Sequence, residues 1–297
     1  MPAHPVLLSE IRQAPFPWRF LLGAYAFSWT LWGVAAFVPP SPLYNALWLV
    51  GALGPALSGV ANLYAEHGGA KRRAMRSAFW RRVIDPRYGG WRTLLPAVLI
   101  PLALVAVSVF FEGRTTPVPF ACLSFGLRSA ASVATLLAVL AATSQEIGWR
   151  GYALDELQTR WSPLVSALVI GLMTWLWLLP MAALLPAAPN QFLHAGPRTL
   201  PVALVTDLCI SVLLTWLYDR GRRSVLAALI GRFVLTLGAL AICPFSERLE
   251  QTHVALLLGV ALAIGLVVPN FDKRHTTLLR VRPSLQGPPL PRRRRRL

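Results

Sequence analysis

The sequence predicts an all-α fold, a polytopic transmembrane helical bundle of about eight spans. Three observations carry that expectation. Hydrophobic residues make up 55 % of the 297-residue chain and charged residues only 14 %, with a mean hydropathy of +0.54. Soluble domains carry about 25 % charged residues. Apolar runs of about 20 residues, the length that crosses a hydrocarbon core, recur along most of the chain. The connections between them alternate between arginine-rich and arginine-poor, as the bias of basic residues toward the cytoplasmic face requires.

Taken in order, a short cytoplasmic segment (1–19) precedes spans at 20–38, 43–65, 93–112, 118–142, 164–185, 200–218, 224–243 and 252–269. These form one membrane-embedded domain over residues 20–269. The connection 66–92 carries Lys71, Arg72, Arg73, Arg76, Arg81, Arg82, Arg87 and Arg92, and so belongs in the cytoplasm. Arg150 and Arg160 follow span four, Arg220, Arg222 and Arg223 follow span six, and the tail is strongly basic. With eight spans all of these fall on one side of a cell inner membrane, with both termini inside. The loops at 39–42, 112–116, 186–199 and 244–251 are short or Pro-rich and poor in basic residues. The tail 270–297, containing "LQGPPLPRRRRRL", reads as disordered and attracted to anionic lipid, at about 1 kcal/mol per basic residue.

A net charge of +17 invites comparison with nucleic-acid binders. However, all but Arg114, Arg128, Arg198, Arg232 and Arg248 of the 29 basic residues collect at the inner face. Topology therefore accounts for the charge; the lipid bilayer is the expected partner and nucleic acid is not. Cys122, Cys209 and Cys243 lie in apolar segments without CxxC spacing, which implies neither a disulfide framework nor a metal knuckle. The first apolar run has no cleavage signature after it, so it is expected to be retained as a span.

Ionisable groups at membrane depth are expensive and mark sites of function. Glu146 and Arg150 stand four apart with the acid first, the favourable orientation for a helical ion pair. Arg128 and Asp207 read as snorkelling or interhelically paired side chains. Arg232, well inside a span, needs a partner or a wet cavity, and Thr236 shares its helical face. None of the five histidines falls within a span; His253 opens the last one.

Three stretches, "SQEIGWRGYALDEL", "SALVIGLMTWLWLLP" and "RRSVLAALIGRFVLT", resemble in order and spacing the CPBP family of membrane-embedded CAAX proteases and bacteriocin-processing enzymes. "VGALGPALSGV" before a basic loop is similar to that family's N-terminal half. The resemblance implies a motif region from Gln145 to Thr236. In the family, a Glu-Glu-x-x-x-Arg motif supplies a general base, a His precedes Leu-Pro, and a His-x-x-x-Asn motif follows. The histidines hold water or a divalent metal, and some members depend on a metal. Here the positions read Gln145-Glu146-Ile147-Gly148-Trp149-Arg150, then Leu178, then Arg232 and Thr236. Glu146, Arg150 and Gly151 match. Gln145 is no base, Leu178 has no ligand atom, and Arg232 is never deprotonated. No metal is expected, because such sites need about three protein ligands.

The substitutions point to a pseudoenzyme, a catalytically inactive homologue that acts by binding another membrane protein as scaffold, chaperone or immunity-type partner. In it, Arg232 is expected to replace the former water or metal and to pair with Glu146. A residual CAAX-type endopeptidase using Glu146 as base is the alternative. A lipid or small-molecule binder lined by Arg128, Asp207 and Arg232 is the third reading.

Overall fold

The computed structural model describes residues 16–65, 70–113, 133–184, 199–241 and 247–267. Arg128, Cys122, Cys243 and the polybasic tail lie outside the described residues. All regular structure among the described residues is helical. In chain order the helices are α1 (Trp18–Ala35), α2 (Pro42–Gly51), α3 (Gly54–Ala65), α4 (Ala70–Ile84), α5 (Pro86–Gly89) and α6 (Trp91–Gly113). Then come α7 (Val133–Gly148), a π-helical turn over Trp149–Ala153, α8 (Leu154–Leu157), α9 (Pro163–Leu184), α10 (Thr199–Arg220), α11 (Val225–Ala241) and α12 (Glu247–Leu262).

The expected count of eight spans is corrected by these helices. Among the described residues three are long and apolar enough to cross a membrane: Trp91–Phe111, Pro163–Met181 and Leu200–Arg220. The pair α2 and α3, bent by 47°, makes a fourth if it is one span. The remaining expectations fail for identifiable reasons. In α1, Arg19 with Trp18, Tyr25, Trp29 and Trp32 dilutes the apolar run. In α11, and in α12 with the π-helical turn Ala263–Val267 that continues it, the apolar stretches are only Val225–Gly238 and Val254–Gly265. A 17-residue helix rises only about 26 Å, short of a core of about 30 Å. Span four is described only from Val133. With the count goes the parity argument that put both termini on one side.

The helices surround two apolar cores. One gathers Phe20, Trp32, Trp149, Trp177 and Leu154; the other gathers Leu104, Leu213, Leu214, Leu217 and Leu257. In α9, two backbone carbonyls ahead of Pro180 also accept from another helix. Tyr25 donates to the Met173 carbonyl at 2.6 Å, and Trp29 Nε1 donates to the Trp177 carbonyl at 3.0 Å. These two bonds, one helical turn apart, fasten α1 to α9.

Helix α7 is central, packed on α3 at one side and α11 at the other. Glycine permits the first crossing. A Cβ on Gly148 would stand 2.0 Å from the Pro55 carbonyl oxygen, and one on Gly59 would stand 2.9 Å from the Gly148 Cα. The "GPALSG" of α3 is therefore the seat on which the end of α7 rests. Immediately beyond this crossing the chain widens into the π-helical turn, a distortion frequent at functional sites.

Candidate functional site

Glu146 and Arg150 occupy the last turn of α7 and the π-helical turn, and both are buried. Arg150 Nη1 donates to Glu146 Oε2 at 2.7 Å. Arg150 Nη2 continues across to α10, where it donates to Ser211 Oγ at 2.9 Å and to the Ser211 carbonyl at 3.3 Å. Ser211 Oγ in turn donates to the Ala167 carbonyl of α9 at 2.6 Å. One guanidinium thus ties three helices together. Glu146 Oε1 is buried and has no hydrogen-bond partner among the described residues.

Gln145 turns back along its own helix. Its amide donates to the Ala142 carbonyl, and its oxygen accepts from Trp149 Nε1 at 3.3 Å. Trp149 meets Phe20 edge-on at 5.2 Å and Trp177 at 6.4 Å. Leu178 packs, half-buried, against this aromatic core. Two of the motif positions therefore serve packing.

Arg232 and Thr236 stand one turn apart on α11, both half-buried. Arg232 Nε is buried without a hydrogen-bond partner, and among the described residues Arg232 makes no ion pair within 4.0 Å. The expected Glu146–Arg232 pair is not formed; Glu146 is held by Arg150. Asp207 of α10 lies within electrostatic range of Arg232, Arg150 and Glu146. Asp207 lies one turn before Ser211 and so shares its face. Two acids and two bases thus gather between α7, α10 and α11, with one pair in contact and Asp207 and Arg232 at longer range.

A second cluster was not legible in the sequence. Asp155 is buried at the start of α8 and accepts from Arg82 Nη1 at 2.8 Å, from Arg223 Nη1 at 2.9 Å and from the Tyr218 hydroxyl. Arg82 also donates to the Tyr218 oxygen at 2.9 Å and to the Gly151 carbonyl at 3.0 Å. Burial weighs against the Arg82 charge, but Asp155 and its neighbours more than restore it, leaving that guanidinium above its ordinary pKa. The cluster anchors the arginine-rich α4 to the back of the motif turn. Arg82 is one of eight basic residues in its connection, and nothing in that run marks it as the one turned inward.

Among the described residues, no group of three or more His, Cys, Asp or Glu side chains is placed to hold a metal ion. The donor set does not fit one: Leu178 offers no ligand atom and Arg232 brings a positive charge rather than a lone pair.

Residues 127–237 match a family model described as type II CAAX prenyl endopeptidase Rce1-like. The chain is also similar to the protein named CAAX prenyl protease 2 of Methanococcus maripaludis. The two are 24 % identical over 270 residues, covering 87 % of this chain and 94 % of that protein. The matched segment contains α7, the π-helical turn, α8, α9, α10 and most of α11, which carry both charge clusters apart from Arg82 of α4.

Proposed function

We propose that the chain, which is similar to Rce1-like CAAX endopeptidases over residues 127–237, is a catalytically inactive member of the CPBP family of membrane proteases that acts by binding another membrane protein. In this reading Gln145, Glu146, Arg150, Leu178, Arg232 and Thr236 mark the former catalytic pocket, and the arginine-rich end of the bundle faces the cytoplasm.

One observation carries the reading. Glu146, the acid retained from the motif, is buried and held at 2.7 Å by Arg150, which is itself committed to Ser211. A general base has to reach a water beside the scissile carbonyl, with donors poised for the oxyanion. Glu146 instead serves to hold α7, and the side chains at the other motif positions have other chemistry. Gln145 cannot take a proton at useful pH, and Leu178 has no polar atom. Arg232 could stabilise an oxyanion but cannot move a proton.

The alternative, a residual CAAX-type endopeptidase using Glu146, is favoured by one feature, the partnerless Oε1 of that residue. The full-length protein in lipid vesicles, offered a farnesylated CAAX peptide, separates the two. No release of the tripeptide above a protein-free control is expected, and release proportional to protein concentration overturns the reading. Photo-crosslinking from Thr236 should at the same time trap a membrane protein rather than lipid alone.

A further inference from the structure

One end of the bundle collects the starts of α1, α6, α9 and α11 with the end of α10. Gly89 lies against Ser224, Gly221 against Thr93, and Phe16 against Trp161. Arg82 and Arg223 meet at Asp155 on the same end. Two of the membrane-crossing helices begin here, at Trp91 and Pro163, and the third ends here, at Arg220. This end therefore lies at a membrane–water boundary.

The charge on it is one-sided. Arg19, Arg73, Arg81, Arg87, Arg92 and Arg222 are exposed, and among the described residues none of them enters an ion pair within 4.0 Å. Three acids near them have their carboxylates engaged. Asp155 is buried among Arg82, Arg223 and Tyr218, Asp219 accepts from Gln158 at 2.9 Å, and Asp85 caps α5 through the Arg87 amide at 2.9 Å. Large apolar side chains stand among the arginines: Trp18 is 62 % exposed, Ile84 67 % and Trp91 70 %. The Arg92 guanidinium lies 5.6 Å from the Trp91 ring centre. Tryptophan beside cations at the mouth of a span is the composition of a headgroup layer contact.

The backbone bears on the same point. Arg222 and Arg223 have φ of 56° and 68°, in the left-handed region that favours glycine. Such conformations are strained and persist where the surroundings hold them. The turn sends Arg223 inward to Asp155 and leaves Arg222 exposed.

We propose that the rim formed by Arg19, Arg73, Arg81, Arg87, Arg92 and Arg222 is a binding surface for the headgroups of anionic phospholipids. The α4 helix is held to the protein body by Arg82, so its outward arginines sit at a fixed height beside the span that opens at Trp91. Phosphate oxygens accept from guanidinium in a bidentate fork, and the exposed rings bury in the acyl boundary below.

The test uses the full-length protein in vesicles of equal parts phosphatidylcholine and phosphatidylglycerol, extracted in mild detergent. The co-purifying lipid is then counted by mass spectrometry. Phosphatidylglycerol should be enriched about fivefold or more, the effect of a single well-placed arginine. Washing at about 1 M salt, where the Debye length is about 3 Å, should reduce that enrichment severalfold. Replacing all six arginines by glutamine should return the ratio to that of the vesicle. Replacing Arg292 to Arg296 by glutamine should leave at least half of the enrichment. A bulk ratio in the unmodified protein overturns the proposal, and so does enrichment that follows the tail and survives in the six-residue variant. The salt wash needs no variant, so a misfolded mutant does not remove the test.

Discussion

Arg150 is bound from two directions, by Glu146 one turn behind it and by Ser211 across the bundle. Arg232 has no direct ionic partner among the described residues and keeps part of its surface exposed. The two arginines should therefore respond differently to truncation. Arg150→Ala leaves a buried carboxylate alone and should destabilise by roughly 3–5 kcal/mol. Arg232→Ala should cost less than about 1.5 kcal/mol, the scale of losing longer-range attraction to one acid. Thermal unfolding in detergent with a common reference gives the order. A larger loss at Arg232 would mean that the Asp207–Arg232 couple, and not Glu146–Arg150, holds the pocket. The Glu146–Arg150 pair was legible because helical spacing alone brings the residues together. Asp207 was legible as an ionisable group but its neighbours were not, and Ser211, Arg82 and Asp155 were not legible, since Ser211 meets Arg150 across 61 positions and Arg82 meets Asp155 across 73.

At the scale of the helix, the decisive contact is the crossing of α3 and the end of α7. Gly148→Ala would push a methyl group into the Pro55 carbonyl, where the available space is 2.0 Å and the obstacle is backbone. Overpacking of this kind costs about 1–3 kcal/mol, and here the strain falls on the turn that carries Glu146 and Arg150. Gly33, half-buried in the last turn of α1, would have nothing within 4 Å of an added methyl group, and Gly33→Ala should be neutral or stabilising by up to about 1 kcal/mol. Comparing the two variants by thermal unfolding isolates the crossing from helix propensity, which favours alanine at both. If Gly148→Ala matched Gly33→Ala, α3 would not be the seat of the motif helix. Sequence hydropathy identified α6, α9 and α10 because each is a long uninterrupted apolar run. It overcounted elsewhere because hydropathy does not see a bend such as that between α2 and α3. Runs that are apolar but short, as in α11 and α12, mislead it in the same way.

At the scale of the molecule, the three or four crossing helices among the described residues and the arginine-rich end define a polarity that can be measured directly. Trp91–Phe111 contains 21 residues and rises about 32 Å, enough to separate its two ends by a full hydrocarbon core. In a background lacking Cys122, Cys209 and Cys243, single cysteines at Arg81, Arg92 and Arg222 should all react with an impermeant maleimide from one face of sealed vesicles. A cysteine at Phe111 should react only from the other face. The three rim positions come from different elements, α4, α6 and the turn before α11, so their agreement is not imposed by local sequence. It follows only if Gly89, Gly221 and Asp155 bring those elements to one level, as the contacts to Ser224, Thr93 and Arg223 require. Labelling of Arg222→Cys from the face opposite to Arg81→Cys would break the rim into separate patches. The anionic-lipid surface would then fail with it, whereas the Glu146–Arg150 pocket, built from α7, α9 and α10, would stand.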